Sequence, residues 1–156
     1  MISTNNYDES KYNYADKPVY EAVKRIIDII FAVSLIVILS PIFIITIIIL
    51  KISYKETVFY LQERVGRAGK TFNLYKFRTM RLDAEIAEPV WAKPDDDRCT
   101  NIGRILRKTS IDELPQLFNI LKGNLSIVEP RPKRPFFMKN HIDLTGKQLL
   151  VKPGLT

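Results

Sequence analysis

The feature that most constrains this chain is a long apolar segment near its N-terminus. Residues Ile29 to Leu50, IIFAVSLIVILSPIFIITIIIL, form 22 consecutive positions without a charged side chain. At about 1.5 Å per residue such a helix is roughly 33 Å long, enough to cross the hydrocarbon core of a bilayer. The segment is apolar all round, is too long for the core helix of a small domain, and begins later than a signal peptide would. It therefore predicts a helix embedded in a membrane.

Two features bear on whether this helix crosses the bilayer or returns to the same face. Basic residues both precede and follow the segment, and the positive-inside rule places such residues on the cytoplasmic side. Ser40 and Pro41 interrupt the segment near its middle. Because Pro41 offers no N–H to the Val37 carbonyl, the helix should bend there, and the Ser40 hydroxyl can bond the freed backbone. From these residues alone, a re-entrant helix and a spanning helix both remain open.

Composition narrows the chemistry that the rest of the chain can perform. The 156 residues include 24 Lys and Arg against 17 Asp and Glu, a formal net charge of +7. This excess suits an anionic partner, such as nucleic acid, an acidic membrane surface or a phosphorylated small molecule. Cys99 is the only cysteine and His141 the only histidine, so we interpret both as structural. Any catalysis must then depend on carboxylates, Lys, Arg, hydroxyls or a hard metal ion held by carboxylates.

The sequence after the apolar segment indicates a mixed α+β domain. Two strand-like stretches flank Gly66 and Gly69 and predict a hairpin. Further along, residues 101–123 predict two helical pieces, and the Pro-rich stretch that follows predicts an irregular loop. The other expected features are a polar tail at 1–17, a lead-in and membrane helix at 18–52, a cytoplasmic catalytic domain at 53–156, a short helix at 81–88, an acidic and solvated loop at 95–97, and a weakly helical stretch within 136–156.

Asp112 and Glu113 stand side by side in KTSIDELPQLFNILKGN and allow two interpretations. The first is structural. Ser110 and Glu113 have the spacing of a capping box, and carboxylates in a first helical turn are favoured by about 0.3–1 kcal/mol each. Pro115 is tolerated in a first turn, and Gly123 can end the helix. On this interpretation the two carboxylates only start a helix.

The second interpretation is chemical, because basic residues stand on both sides of the acidic pair. Guanidinium groups near a helix start can bind phosphate. Carboxylates in such a cluster can hold Mg²⁺, or can attack phosphorus once the phosphate charge is neutralised. From the residues alone both interpretations remain open. The basic residues concerned are Arg104, Arg107 and Lys108 upstream, and Arg131, Lys133 and Arg134 in the Pro-rich loop downstream.

Several long motifs, taken in order, resemble the bacterial sugar transferases. These are monotopic polyprenyl-phosphate phosphoglycosyl transferases that begin exopolysaccharide, O-antigen or glycoprotein glycan assembly. The resemblance covers about Lys24 to Thr156. It is carried by KRIIDII…LSP, ERVGRAGKTFNLYKFRTM, PVWAKPDDDRCTNIGRILRKTSIDELPQLFNILKGNLSIVEPRP and VKPGLT.

The resemblance implies a role for each matched residue. Asp112 would attack the sugar-proximal phosphate of a UDP-sugar, release UMP and carry a phosphoglycosyl intermediate, which undecaprenyl phosphate or another polyprenyl phosphate would then attack. Glu113 would assist with metal or proton handling, with Mg²⁺ bound at the Asp-Glu dyad. This favours the catalytic interpretation of the dyad. The matched phosphate- or substrate-binding positions are Arg107, Arg131, Lys76 and Arg78.

The resemblance also implies a location and a set of partners. Ser40 and Pro41 match the family's helix-breaking pair, which favours the re-entrant path. The expected architecture is a small monotopic α+β membrane protein with a compact catalytic domain at the cytoplasmic face of the bacterial inner membrane. The expected partners are a UDP-sugar, a polyprenyl phosphate and membrane lipid, with no nucleic acid.

Two departures from the family pattern leave alternatives in place. Glu129 stands before Arg131 where the family usually has Gly. A carboxylate there could repel a phosphate or pair with Arg131, and it would be strained if the position required a positive φ. Family members also continue beyond Thr156, which predicts a shortened catalytic domain. An inactive relative and a membrane-anchored basic binding module are therefore the alternatives to an enzyme.

Overall fold

The computed structural model describes residues 18–54, 57–81, 84, 96–136, 149 and 151–155. A long helix precedes a hairpin and two short helices, which confirms the predicted mixture of helix and strand. The elements are α1 (Pro18–Tyr54), β1 (Phe59–Val65), β2 (Thr71–Phe77), α2 (Asn101–Lys108) and α3 (Gln116–Lys122). The expectations for the polar tail, most of the helix at 81–88, Asp95, His141 and most of the helical stretch within 136–156 lie outside the described residues.

Helix α1 buries one narrow face against the rest of the chain. Its buried residues recur at the three- and four-residue spacing that defines one side of a helix. The other side is apolar and exposed, as Val37 at 66% and Ile38 at 69% illustrate. The helix is long and apolar enough to cross a membrane, and an uncovered apolar face of this size indicates membrane association. The buried residues are Asp28, Ala32, Phe43, Thr46 and Leu50.

The Ser40–Pro41 step lies inside α1, which is continuous across it. The Ser40 hydroxyl donates to the Val37 carbonyl over 2.8 Å. This is the carbonyl that Pro41 leaves without a helical donor, so the predicted bond is present. The bend at Pro41 and the re-entrant path stay predictions.

Strands β1 and β2 form the predicted antiparallel hairpin. Phe59 pairs with Phe77 at the open end and Val65 with Thr71 at the turn. In the turn Gly69 has a φ of 75°, a left-handed conformation that glycine adopts without a steric cost. The hairpin brings residue 76 near one end of the sheet, where the candidate site lies.

The core joins α1 to β2, α2 and α3. One cluster packs Ala32 of α1 against Leu74 of β2 and Leu117 of α3. A second contains Phe43 of α1, Phe77 of β2 and residues of α2. The rings of Phe43 and Phe77 meet edge to face with centroids 5.4 Å apart, a favourable aromatic arrangement. The apolar helix is therefore part of the globular core rather than a separate stalk.

Candidate active site

The acidic dyad lies in a short 3₁₀ turn, Ile111–Glu113, between α2 and α3. The predicted capping box is wrong. Ser110 adopts a left-handed conformation with φ 57° and its side chain makes no capping bond, while the Glu113 N–H is bonded by the Ser110 backbone carbonyl at 3.2 Å. Helix α3 begins at Gln116, after Pro115. The two carboxylates are thus held outside the helix that they were expected to start.

Glu113 bridges two of the predicted basic residues. Its Oε1 accepts a bond from the Lys76 ammonium group at 3.0 Å. Its Oε2 accepts a bond from Nη2 of Arg131. Lys76 comes from the end of β2 and Arg131 from the Pro-rich loop, so three elements converge on one carboxylate. This ion-pair cluster is the reason that the Glu113 side chain turns away from Ser110.

Asp112 is nearly enclosed, with 6% of its surface exposed. Burial raises the pKa of its carboxyl group, because removal from water disfavours the charged form. The neighbouring Glu113 carboxylate also raises this pKa, whereas the positive charges of Lys76 and Arg107 oppose the shift. Asp112 therefore combines a basic carboxylate with nearby cations, a pairing suited to attack on an anionic centre.

Helix α2 holds Arg107 against the end of the hairpin. The Arg107 Nε–H donates to the Thr79 hydroxyl at 3.0 Å. The Thr100 side chain caps α2 by accepting from the Gly103 N–H at 2.9 Å. A Cβ on Gly103 would lie only 1.9 Å from the Thr79 carbonyl oxygen, so only glycine permits this approach. The sequence motif did not single out either Thr79 or Gly103.

Asn119 is a positioning residue that the sequence analysis missed. It lies on the apolar face of α3 and is completely buried. Its Oδ1 accepts from the Tyr75 N–H at 2.9 Å, and its Nδ2 donates to the Asn73 carbonyl at 2.8 Å. These bonds fix α3 beside β2, next to Lys76. A polar residue within the apolar run LFNIL was the only available signal.

The loop that carries Arg131 is irregular, as predicted, but firmly tied. The Arg131 Nε–H donates to the Leu155 carbonyl at 3.2 Å. The Gly154 N–H donates to the Pro130 carbonyl at 2.9 Å, and a Cβ on Gly154 would lie 2.0 Å from the Glu129 carbonyl oxygen. The VKPGLT motif therefore packs against the Pro-Arg-Pro loop and holds it by these hydrogen bonds.

The end of β1 forms a second support for this loop. Arg64 donates through Nη1 to the Pro132 carbonyl at 3.2 Å, and the Val65 N–H donates to the Lys133 carbonyl at 2.9 Å. Burial and then the charge of Arg134 lower the pKa of Arg64 to about 10, and Arg131 contributes in the same direction. A local excess of positive charge of this kind favours an anionic ligand.

Two of the effects predicted for Glu129, pairing with Arg131 and backbone strain, are wrong, whereas repulsion of a phosphate stays a prediction. Its carboxylate lies 3.1 Å from the Lys24 ammonium group of α1, so it does not occupy Arg131. Among the described residues only Ala68 and Ser110 have a positive φ without being glycine, so Glu129 carries no such strain. The charge of Glu129 is compensated by a residue more than a hundred positions away in sequence.

The acidic loop differs from the prediction at Asp96, whereas Asp97 is exposed as predicted. Asp96 is buried, with 7% exposure, instead of solvated. Its Oδ1 accepts from the Arg98 Nε at 2.8 Å. This hydrogen bond with Arg98 holds the pKa of the Asp96 carboxyl well below its usual range. Cys99 is buried, as expected.

The remaining predicted residues are Arg78 and the Ser40–Pro41 pair. Arg78 follows β2 directly, and its N–H donates to the Val58 carbonyl at 2.9 Å, so its substrate-binding role stays a prediction. Ser40 and Pro41 lie in α1. The structure thus joins Lys76, Glu113 and Arg131 by direct contacts and places the charge of Arg107 close enough to act on Asp112.

The dyad offers carboxylate oxygens of the kind that Mg²⁺ prefers, and the binding of Mg²⁺ stays a prediction. Within the described ranges no group of three or more His, Cys, Asp or Glu side chains could hold a metal. Magnesium, however, is commonly held by one or two carboxylates together with substrate phosphates and water. The buried Asp112 carboxylate, with Glu113 beside it, has the donor chemistry for such a site.

Comparison with known proteins identifies the class to which this fold and site belong. The family model described as bacterial sugar transferase matches residues 19–156. The chain belongs to this family.

Individual relatives carry more specific names. A Bacillus subtilis protein, named provisionally as an undecaprenyl-phosphate N-acetylgalactosaminyl 1-phosphate transferase, is 48% identical over 118 residues, which cover 76% of this chain and 66% of the relative. The UDP-N-acetylgalactosamine-undecaprenyl-phosphate N-acetylgalactosaminephosphotransferase of Aeromonas hydrophila is 37% identical across 89% of this chain and 34% of its own length. The undecaprenyl-phosphate galactose phosphotransferase of Salmonella typhimurium is 38% identical across 86% and 31% respectively. The chain thus spans from 31% to 66% of the length of these relatives.

Proposed function

We propose that this protein transfers a sugar 1-phosphate from a UDP-sugar to undecaprenyl phosphate at a membrane surface, the first membrane step of a glycan pathway. The names of the relatives support the lipid acceptor and the transferred group. The observation that carries the proposal is the buried Asp112 beside an ion-pair cluster in which Glu113 bridges Lys76 and Arg131. A helix start alone would require none of these cations.

In the proposed first step, an Asp112 carboxylate oxygen attacks the sugar-proximal phosphorus. An O–P bond forms to Asp112, the bond from that phosphorus to the bridging oxygen breaks, and UMP leaves with the bond's electrons. Lys76, Arg107 and Arg131 supply positive charge where negative charge builds up, which lowers the barrier when the donors are fixed in advance. The product is a phosphoglycosyl-aspartate.

In the second step, an oxygen of undecaprenyl phosphate attacks the same phosphorus. The bond to Asp112 breaks, the carboxylate is regenerated, and the lipid carries a diphosphate-linked sugar. Magnesium bound by Asp112 and Glu113 would supply additional neutralisation of the phosphate oxygens. Glu113 would orient this centre, since both its oxygens already accept fixed bonds.

We also propose that α1 is a monotopic anchor with both ends at the cytoplasmic face. Arg25 near the start of α1 bonds the Leu121 carbonyl of α3 at 2.8 Å, and Tyr54 at its end bonds the Thr100 side chain. These partners belong to one small globular unit. A straight helix from Arg25 to Tyr54 is about 44 Å long. If it crossed a bilayer core of about 30 Å, these two residues would lie on opposite sides of the membrane. Contacts of both ends with one unit favour the re-entrant path.

The activity is tested with purified protein in detergent or nanodiscs, Mg²⁺, undecaprenyl phosphate and a panel of UDP-hexoses and UDP-N-acetylhexosamines. We expect UMP release with at least one donor, and a phosphosugar mass adduct when the lipid acceptor is withheld. Asp112→Ala should abolish both signals. UMP release that persists in Asp112→Ala would exclude this residue as the nucleophile.

The same assay separates the alternatives. A binding module would bind anionic vesicles with a steep salt dependence but release no UMP. An inactive relative would give no adduct with any donor. Glu129, the main sequence argument for inactivity, is neutralised by Lys24 in this structure.

The path of α1 is tested by cysteine labelling in a Cys99→Ser background, which removes the only native thiol. Val19→Cys and Lys51→Cys place single thiols at the two exposed ends of the helix. Both should react with a membrane-impermeant maleimide only after the cells are opened. Labelling of one end in intact spheroplasts would show that α1 spans the membrane.

A further inference from the structure

The geometry points to a docking contact by which α1 positions Arg131. We propose that Lys24 and Asp28 of α1 hold the segment that leads into Arg131, so that sugar-nucleotide binding depends on the seating of the membrane helix. Lys24 and Asp28 are positioning residues here, because the structure places them on the loop and not at the dyad. The inference rests on the proposed function for its activity readout, and it also has a readout that does not require catalysis.

Lys24 makes two contacts with the residues just before the Pro-Arg-Pro loop. Its ammonium group donates to the Val128 carbonyl at 3.0 Å and pairs with the Glu129 carboxylate at 3.1 Å. The side chains of Lys24 and Glu129 are only 25% and 22% exposed. This half-buried pair is less screened than a fully exposed one. Glu129 thus serves as an attachment point for α1.

Asp28 makes the deeper contact, one helical turn further along α1. Its side chain is 5% exposed. One carboxylate oxygen, Oδ1, accepts from the Ser126 hydroxyl and from the Ile127 N–H, both at 3.1 Å. A buried carboxylate in an otherwise apolar segment is costly unless such donors are present. The two hydrogen-bond donors therefore explain why the apolar helix tolerates the buried Asp28 carboxylate.

A short series of bonds continues from Ser126 to Arg131. The Ser126 N–H donates to the Pro153 carbonyl at 2.9 Å, and the Leu155 N–H donates to the Ser126 carbonyl at 3.0 Å. The carbonyl of Leu155 then accepts from the Arg131 Nε–H at 3.2 Å. Displacement of residues 126–129 would therefore move the backbone group that orients the Arg131 guanidinium.

The experiment compares charge reversals within the Lys24–Glu129 pair. Lys24→Glu and Glu129→Lys should each raise KM for the UDP-sugar about 3- to 10-fold, since attraction becomes repulsion in a half-buried pair. The exchanged double variant should return KM to within about 2-fold of the original value. The kcat value should fall as well, because Arg131 also supplies positive charge in the proposed first step.

The Glu21–Arg67 ion pair is the matched control. It also joins α1 to the globular unit, over 2.8 Å, but its side chains are 57% and 43% exposed and it touches the hairpin turn instead of the Arg131 loop. Glu21→Arg and Arg67→Glu should leave KM within about 2-fold. Equal effects of the two pairs on KM would overturn the proposal.

Asp28 supplies a second variant set. Asp28→Asn keeps an oxygen acceptor for Ser126 and Ile127, whereas Asp28→Leu removes it. We expect Asp28→Leu to raise KM more than Asp28→Asn does. If both variants folded and left KM unchanged, the docking contact would have no positioning role.

Hydrogen exchange of residues 126–134 provides the readout that does not depend on catalysis. Lys24→Glu should speed hydrogen exchange in this segment. The double variant Lys24→Glu/Glu129→Lys should restore the original exchange rate, and the control Glu21→Arg should leave that rate unchanged. Absence of both UMP release and the phosphosugar adduct would contradict the proposed function. Faster exchange in Lys24→Glu that the double variant reverses would still support the docking contact. Unchanged exchange in Lys24→Glu and Asp28→Leu would overturn the contact whether or not the protein is active.

Discussion

The Lys76 ammonium group lies 3.0 Å from Oε1 of Glu113 and so connects the hairpin to the turn that carries the acidic dyad. The two residues are 37 positions apart in sequence. Both side chains are about one-fifth exposed, so their attraction is less screened than that of a surface pair. The same ammonium group lowers the pKa of the adjacent Asp112, against the effect of burial.

The first prediction concerns the pH dependence of Lys76→Met. Loss of the positive charge removes an effect that lowers the pKa of Asp112, so the carboxyl group stays protonated to a higher pH. The acid limb of kcat against pH should therefore move to higher pH, and kcat/KM at neutral pH should fall about 10-fold or more. The measurement is UMP release over a pH series. Lys70→Met, which removes an exposed lysine at the turn of the same hairpin, should leave the limb in place.

The second prediction contrasts two buried aspartates. The raised pKa of Asp112 means that the folded state binds its proton more tightly than the unfolded state does. The cost of its charge is therefore present at neutral pH and disappears as the pH falls through the folded pKa. Asp112→Asn should abolish activity yet unfold at a higher temperature than the original protein at pH 7, and this gain should shrink in acid.

Asp96→Asn is the control for this contrast. Because its bond to Arg98 lowers the pKa of Asp96, the stability that it contributes is present above the unfolded pKa and is lost as the pH falls through the folded pKa. Asp96→Asn should lower the unfolding temperature at pH 7. Thermal unfolding at pH 7 should show a higher unfolding temperature for Asp112→Asn and a lower one for Asp96→Asn. A lower unfolding temperature in Asp112→Asn would contradict the inference that burial of the charged Asp112 carboxylate destabilises the fold.

The third prediction concerns the contact between α2 and the end of the hairpin. In Gly103→Ala the new Cβ would lie 1.9 Å from the Thr79 oxygen and 2.7 Å from its carbonyl carbon. Neither backbone atom can yield without moving α2 and Arg107 with it. We expect a loss of about 2–4 kcal/mol in the free energy of unfolding and a rise in KM for the UDP-sugar. Denaturant unfolding and initial rates provide the measurements.

Gly69→Asn is the matched substitution. Gly69 has a positive φ of 75°, but a Cβ there meets nothing within 4 Å. Asparagine tolerates this conformation, so the change should cost about 1 kcal/mol or less and leave KM unaltered. A similar loss from both substitutions would mean that close packing at residue 103 is not the cause.

The fourth prediction concerns the end of α3. Arg25 donates to the carbonyls of Ile120 and Leu121 in the last turn of α3, where carbonyl groups lack the donors of a further helical turn. The Ile120 carbonyl also accepts from the Gly123 N–H at 2.9 Å. Arg25→Met should cost about 1.5–3 kcal/mol, because charge-assisted bonds to carbonyls are lost in a partly buried place. Arg25→Lys should recover part of this loss. Thermal unfolding in detergent tests both, and an unchanged melting temperature in Arg25→Met would exclude the capping role.

Local patterns in the sequence were sufficient for several elements. The uncharged run at 29–50 predicted the apolar helix, since periodicity and length do not depend on distant residues. The glycines at 66 and 69 predicted the hairpin, and the prolines between 130 and 135 predicted an irregular loop. Proline also predicted that the Ser40 hydroxyl would bond the Val37 carbonyl.

Tertiary structure decided which charged side chains meet. Glu129 was expected to act on Arg131 but pairs with Lys24, more than a hundred positions away. Glu113 was expected to cap a helix but bridges Lys76 and Arg131. Asp28 and Asn119 were not recognised because their donors and acceptors lie on other elements. Propensity and spacing encode the conformation of neighbouring residues, whereas ion pairs form wherever packing brings opposite charges together. The sequence therefore determined the elements and the chemistry available, and packing of α1 against the hairpin and α3 determined the partners.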